Sequence, residues 1–141
     1  MSELDGLLPG TFCWLDLAAT DERRAQRFYA EAFGWTFADQ RANGGRFTRC
    51  FAGDRALGSM YPLRRSAIER GVPSHWTPYV RAASVEASAC RVTRCGGRVV
   101  VAPFEVEGVA RIALVEDAVG ALFGLWEPLR PQEPESTPGP A

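Results

Sequence analysis

The chain has 141 residues, the size of one domain and enough to bury roughly two-thirds of the surface its unfolded form exposes. Its 16 basic residues, all arginine, nearly balance 17 acidic ones for a net charge of -1, so the electrostatic footprint of a nucleic-acid binder or a membrane-surface protein is missing. The acidic start MSELDGLLPG lacks the basic and apolar blocks of a secretory signal, and no apolar run is long enough to span a bilayer, which leads us to expect a cytoplasmic protein without a membrane partner.

In chain order, Thr11 to Leu17 alternates, with Cys13, Leu15 and Leu17 on one face and Phe12, Trp14 and Asp16 on the other. That is the period of a strand. Thr20 or Asp21 then caps a helix whose apolar residues Ala25, Phe28, Tyr29, Ala32 and Phe33 recur at helical spacing, and Gly34 stops it. Trp35 to Phe37, Arg46 to Phe51 and Arg55 to Tyr61 read as three short strands joined by the turns Asn43-Gly44-Gly45 and Gly53-Asp54. The unit is βαβββ.

Residues 62–73 break the alternation and read as a connector with one helical turn. The pattern then returns: Thr77 to Val80, a Ser84 cap, a helix through Ala89 and Val92, Gly96-Gly97, and strands at Arg98 to Val101, Ala110 to Val115 and Ala121 to Trp126. Sliding the sequence by 63 places Leu17 on Val80, Asp21 on Ser84 and Gly34 on Gly97, while the last strands align at 66. A repeat of about 55 to 60 residues, present twice, is too long and too few for a solenoid. The expected fold class is therefore α+β, with module 1 over 10–61, module 2 over 74–128, and a proline-rich tail over 129–141 whose composition cannot order itself. Cys13, Cys50, Cys90 and Cys95 contain no CxxC pair, and the expectation is that they are small buried apolar residues.

The segments that carry a resemblance are Trp14 to Leu17 (WLDL), Asp21, Phe28-Tyr29, Phe33-Gly34-Trp35, Gly96-Gly97, and Val115 to Asp117 followed by Gly120, Phe123 and Trp126 to Pro128. Their order and distances over residues 10–128 resemble the vicinal oxygen chelate superfamily, which includes glyoxalase I, extradiol dioxygenases and the bleomycin-resistance proteins. The resemblance implies that the two modules form a curved mixed sheet, or cup, with helices on its outer face, and that such chains pair as homodimers. It also implies metal-ligand positions on the first and last strand of each module. Carried over by spacing, these fall on Trp14, Gly58, Thr77 and Gly124. A divalent metal wants imidazole, carboxylate or thiolate donors. Tryptophan and two glycines offer none and threonine is a poor ligand, so neither a metal nor another cofactor is expected.

Alternation in such a cup gives it a lining of Phe12, Trp14 and Asp16, then Gly58 and Met60, then His75, Thr77 and Tyr79, and finally Leu122, Gly124 and Trp126. Aromatic walls suit a flat, partly apolar ligand, for which the glycines leave room; packing of the same rings as plain core is the competing reading. Asp16 is a candidate acid or base, because desolvation raises a carboxyl toward the useful range; a structural hydrogen-bonding role stands beside it. His75, the sole histidine, and Tyr79 are further candidates for proton transfer, and Arg111 is a candidate clamp for an anionic group. No nucleophile triad, phosphate loop or dinucleotide fingerprint is present. Two functions compete: a binding protein that sequesters a small aromatic compound, as in antibiotic resistance, and a metal-free enzyme of secondary metabolism doing isomerase, cyclase, lyase or aldolase chemistry.

Overall fold

The computed structural model describes residues 8–129 except Gly44. Eleven elements follow one another: β1 (Phe12–Ala19), α1 (Glu22–Phe33), β2 (Thr36–Ala42), β3 (Gly45–Ala52), β4 (Arg55–Pro62), α2 (Arg65–Glu69), β5 (His75–Arg81), α3 (Val85–Arg94), β6 (Arg98–Val106), β7 (Ala110–Glu116) and β8 (Leu122–Pro128). The two long helices start as their sequences require. The Asp21 carboxylate accepts from the Arg24 amide at 3.1 Å, and the Ser84 hydroxyl accepts from the Ala87 amide at 3.2 Å, satisfying donors that a helix leaves open in its first turn. Gly34 ends α1 at φ 76°, a left-handed conformation that glycine adopts without a Cβ penalty.

All eight strands join one mixed sheet in the order β2-β3-β4-β1-β5-β8-β7-β6. Each module contributes one half: β1 runs parallel to β4, β5 runs parallel to β8, and β1 meets β5 antiparallel at the centre. The result is the expected α+β cup of two βαβββ modules. Two cores lie between the sheet and its helices. One gathers Leu17, Ala19, Cys50 and Met60 against Ala25, Tyr29, Trp35 and Phe37; the other gathers Val85 and Ala89 of α3 against Ala113, Val115 and Leu125. The third cluster, on the concave side, contains Trp14, Tyr79, Ile112 and Trp126.

The open side of the cup is spanned by a clasp between the modules. Beyond β2, the Asn43 amide donates to Glu107 Oε1 and its side-chain nitrogen to the Glu105 carbonyl, while the Glu107 amide donates back to Asn43 Oδ1, each at 2.9 Å. Nothing in the local sequence around either residue announces this bond, which joins turns 64 residues apart.

Three sequence expectations need correction. The strands run longer than their alternating cores, most of all β2, whose outer half carries the polar run Asp39 to Arg41, and β6, whose alternation is interrupted by Pro103 and two register breaks. Cys90 and Cys95 are exposed rather than core; they lie on and just after α3, away from its packed residues Val85 and Ala89. The module correspondence also differs. Asp16 pairs with Ser59 as Tyr79 pairs with Gly124, so first strands correspond at 63 residues and last strands at 65, not 66. The proline-rich tail from Arg130 onward lies outside the described residues, as does Gly44 in the β2–β3 turn. Leu129, assigned to that tail, donates its amide to the Val109 carbonyl at 3.2 Å. Among the described residues no helix is long and apolar enough to cross a membrane.

Candidate ligand-binding site

The concave face encloses a cavity of about 470 Å³, within the range of roughly 300–1,000 Å³ for small-molecule sites. Trp14 from β1, Tyr79 from β5 and Trp126 from β8 form its aromatic wall. The two indoles lie 5.4 Å apart between ring centroids with planes tilted by 34°, and Tyr79 meets Trp126 edge-on at 5.6 Å. Ile112, Val106 and Val109 extend the apolar lining on the second module, and Phe47 does so on the first.

A polar row crosses the same face. Strand pairing sets Thr77 beside Asp16, Asp16 beside Ser59, and Ser59 beside Arg49, and directly paired residues share a face of the sheet. Three of these four, Asp16, Ser59 and Arg49, line the cavity. The Trp14 indole nitrogen donates to the Ser59 hydroxyl at 2.8 Å, and the Tyr79 hydroxyl donates to Asp16 Oδ2 at 3.2 Å. Burial pushes the Asp16 carboxyl up to about 6, against the Tyr79 hydrogen bond and the His75 charge, which both pull it down. The Tyr79 phenol is held well above its ordinary range, first by burial and then by the Asp16 charge, and Tyr61 is pushed up to about 12 by the same two causes. Near neutral pH the cavity thus offers neutral phenols beside a carboxyl close to its titration point. The thiols of Cys13 and Cys50 are raised to about 11 by burial, so neither is an activated nucleophile.

The structure brings together Trp14, Asp16, Tyr79 and Trp126 and separates the other expected residues. Met60 pairs with Leu17 and is fully buried beneath α1, on the opposite face from the cavity. Gly58 pairs with Leu15; a Cβ there would strike the Leu15 carbonyl oxygen, so its smallness serves a close backbone approach and not ligand space. The cavity-facing residues of β4 are Ser59 and Tyr61, one position off the expected phase. The cause is a bulge: Cys50 pairs with Gly58 but Phe51 with Ala56, leaving Leu57 as the extra residue. Gly124 does face the cup, but a Cβ on it would overlap the Tyr79 ring, so it seats Tyr79. Thr77 is buried in the row beside Asp16 and does not line the cavity.

His75 opens β5, its Nδ1 2.9 Å from the Pro73 carbonyl, outside the lining. Phe12 is 70% exposed beyond a register break in β1, and Leu122 is also exposed. Arg111 lies next to Ile112, which takes the inward position, and its guanidinium grips Glu86 of α3 on the outer side, Nε to Oε2 at 2.7 Å. Sequence reasoning missed Arg49, Ser59, Tyr61, Phe47 and Gln40. Their inward direction is set by the ladder that runs from β1 through β4 and β3 to β2, which no local pattern discloses.

With the phase corrected, the four positions at which the resemblance implies metal ligands fall on Trp14, Ser59, Thr77 and Gly124: an indole, two hydroxyls and no side chain. These do not fit a divalent metal. Among the described residues no group of three His, Cys, Asp or Glu side chains is placed to hold one.

Two modules forming one curved sheet around a cavity define a domain of the paired-module class. No protein-family model matches the chain. It is 32% identical over 120 residues to CFP32, a glyoxylase-like protein of Mycobacterium tuberculosis, covering 84% of this chain and 46% of that protein. It is 30% identical over 129 residues to the anthracycline biosynthesis protein DnrV of Streptomyces peucetius, covering 84% and 47%. The chain thus spans slightly less than half the length of these relatives. Among solved structures, methylmalonyl-CoA epimerase from Mycobacterium tuberculosis matches with a TM-score of 0.65 at 18% identity over 89% of this chain and 95% of that one. The hypothetical protein BH1468 from Bacillus halodurans matches at 0.66 and 16%, over 88% and 98%; both likenesses concern the fold alone. The fold is that of the vicinal oxygen chelate superfamily, which the resemblance in the sequence led us to expect.

Proposed function

We propose that this protein is a metal-independent binding protein whose cup holds a flat, partly apolar aromatic metabolite. The observation that carries the reading is the ring wall of Trp14, Tyr79 and Trp126 standing in and around the family's ligand positions. Rigid rings supply contact area and orientation at small entropic cost. The relation to a protein named for anthracycline biosynthesis supports it, since an anthracycline carries a planar fused-ring system. The test is a tryptophan-fluorescence titration with a planar probe such as anthraquinone-2-carboxylate, in which saturable quenching is the expected result and its absence refutes the reading.

The Asp16–Tyr79 pair favours a second reading, a metal-free enzyme doing acid/base chemistry on the same compound. A carboxyl near 6 beside a phenol that stays protonated is a base and a donor held within one hydrogen bond. Turnover that is lost in Asp16→Asn while ligand affinity persists would establish it. We also propose that the chain pairs as a homodimer: Phe28, Phe33, Leu15 and Trp76 are exposed, and pairing of two copies would cover them. Sedimentation at twice the monomer mass is the expected outcome.

A further inference from the structure

Arg49 is the only basic residue lining the cavity among the described residues. Its guanidinium stands 5.5 Å from the Trp14 ring centroid and 5.7 Å from that of Phe51. These rings hold the cation in place, yet no carboxylate or other acceptor among the described residues takes any of its five N–H donors. Other arginines near the sheet are committed: Arg46 to Asp39 and Glu22, Arg98 to Glu116, Arg111 to Glu86. Ser59, its neighbour in the polar row, is 8% exposed and accepts from Trp14, which leaves its hydroxyl proton unspent toward the same cavity.

We infer that Arg49 and Ser59 form an anion-recognition end of the cup, so that the ligand is a planar aromatic whose edge carries an ionised oxygen, a carboxylate or an acidic phenol. Arg49 supplies a charge-assisted, planar fork of donors that matches such a group, and the Ser59 hydroxyl adds a neutral donor beside it. Arginine suits this place better than lysine, since its face can rest on Trp14 while its edge engages the anion. Asp16 lies on the far side of Ser59 in the row, which separates the cup into an anion-accepting end at β3–β4 and a proton-exchanging end at β1–β5.

This inference rests on the aromatic-ligand reading but fails separately from it. The probes are anthraquinone-2-carboxylate and its neutral isostere anthraquinone-2-carboxamide, titrated at pH 7 by tryptophan quenching. The wild type is expected to bind the acid at least tenfold more tightly than the amide. Arg49→Met, which keeps an apolar stem on the rings, should bind both within threefold of each other, and Arg49→Lys should recover part of the preference. Thermal unfolding of each variant checks that the cup is intact; should Arg49→Met fail to fold, the acid-to-amide ratio of the wild type alone decides. Equal affinity of the wild type for the two probes, or a preference that survives in Arg49→Met, overturns the anion end while leaving the aromatic cup standing. Failure of both probes to bind overturns both readings.

Discussion

The Tyr79 hydroxyl donates to Asp16 Oδ2 at 3.2 Å, diagonally across the central β1–β5 pair where the two modules meet. The bond pulls the Asp16 carboxyl down, yet burial wins and sets it at about 6 against an ordinary 3.8. Between those values the native protein binds more protons than the unfolded chain, so stability is greatest below about pH 4 for this group and declines as pH rises through 6. Asp16→Asn removes the cost of burying the charge. The variant should gain on wild type across that window, by about 1–3 kcal/mol at pH 7, since a tenfold change in proton affinity is worth about 1.4 kcal/mol. Urea unfolding at pH 4, 5, 6 and 7 measures it, and parallel curves for the two proteins would refute the assignment.

Gly58 and Gly124 should respond differently to alanine. At Gly58 the new Cβ meets a backbone carbonyl of Leu15 that cannot swing away, so Gly58→Ala should cost about 2–3 kcal/mol or more and disturb the β1–β4 pairing. At Gly124 it meets the Tyr79 ring, which can rotate. Gly124→Ala should cost less stability but displace the phenol from Asp16 and weaken aromatic ligands several-fold. Thermal unfolding paired with fluorescence titration separates the two.

Ser59→Ala deletes the acceptor of the buried Trp14 indole N–H. An unpaired buried donor costs about 1–3 kcal/mol, so a stability loss of that size is expected by urea unfolding. Ser59→Thr, which keeps the hydroxyl, should recover much of it.

Arg111→Ala should leave ligand affinity unchanged, because its partner Glu86 lies on α3 outside the cup. Titration of this variant beside an Arg49 variant tests which arginine the ligand meets. A loss of affinity on removing Arg111 would contradict the placement of the cavity.

Much of the architecture was legible from local signals. Asp21, Gly34 and Ser84 mark helix ends by chemistry that acts within four residues, and the repeat of elements survives even where side chains do not match. Trp14, Asp16, Tyr79 and Trp126 followed from strand alternation. Ser59 and Arg49 did not, because the face a residue takes on β4 depends on its pairing with β1, 43 residues away at Asp16, and on a bulge at Leu57 that a run of Ala, Leu and Gly does not disclose. Arg111 was misplaced for the opposite reason: its strand is apolar on both faces, so alternation gives no inward direction. The Asn43–Glu107 clasp is a contact between two turns, with no periodic signal at all.

Metal independence and aromatic binding meet in one experiment, an anthraquinone-2-carboxylate titration of protein stripped with chelator, repeated after adding an equivalent of zinc, nickel or iron(II). Saturable one-to-one quenching of tryptophan fluorescence is expected in the stripped protein, unchanged by any of the metals and abolished in Trp14→Ala. Binding that emerges only once metal is restored would overturn the metal-independent cup.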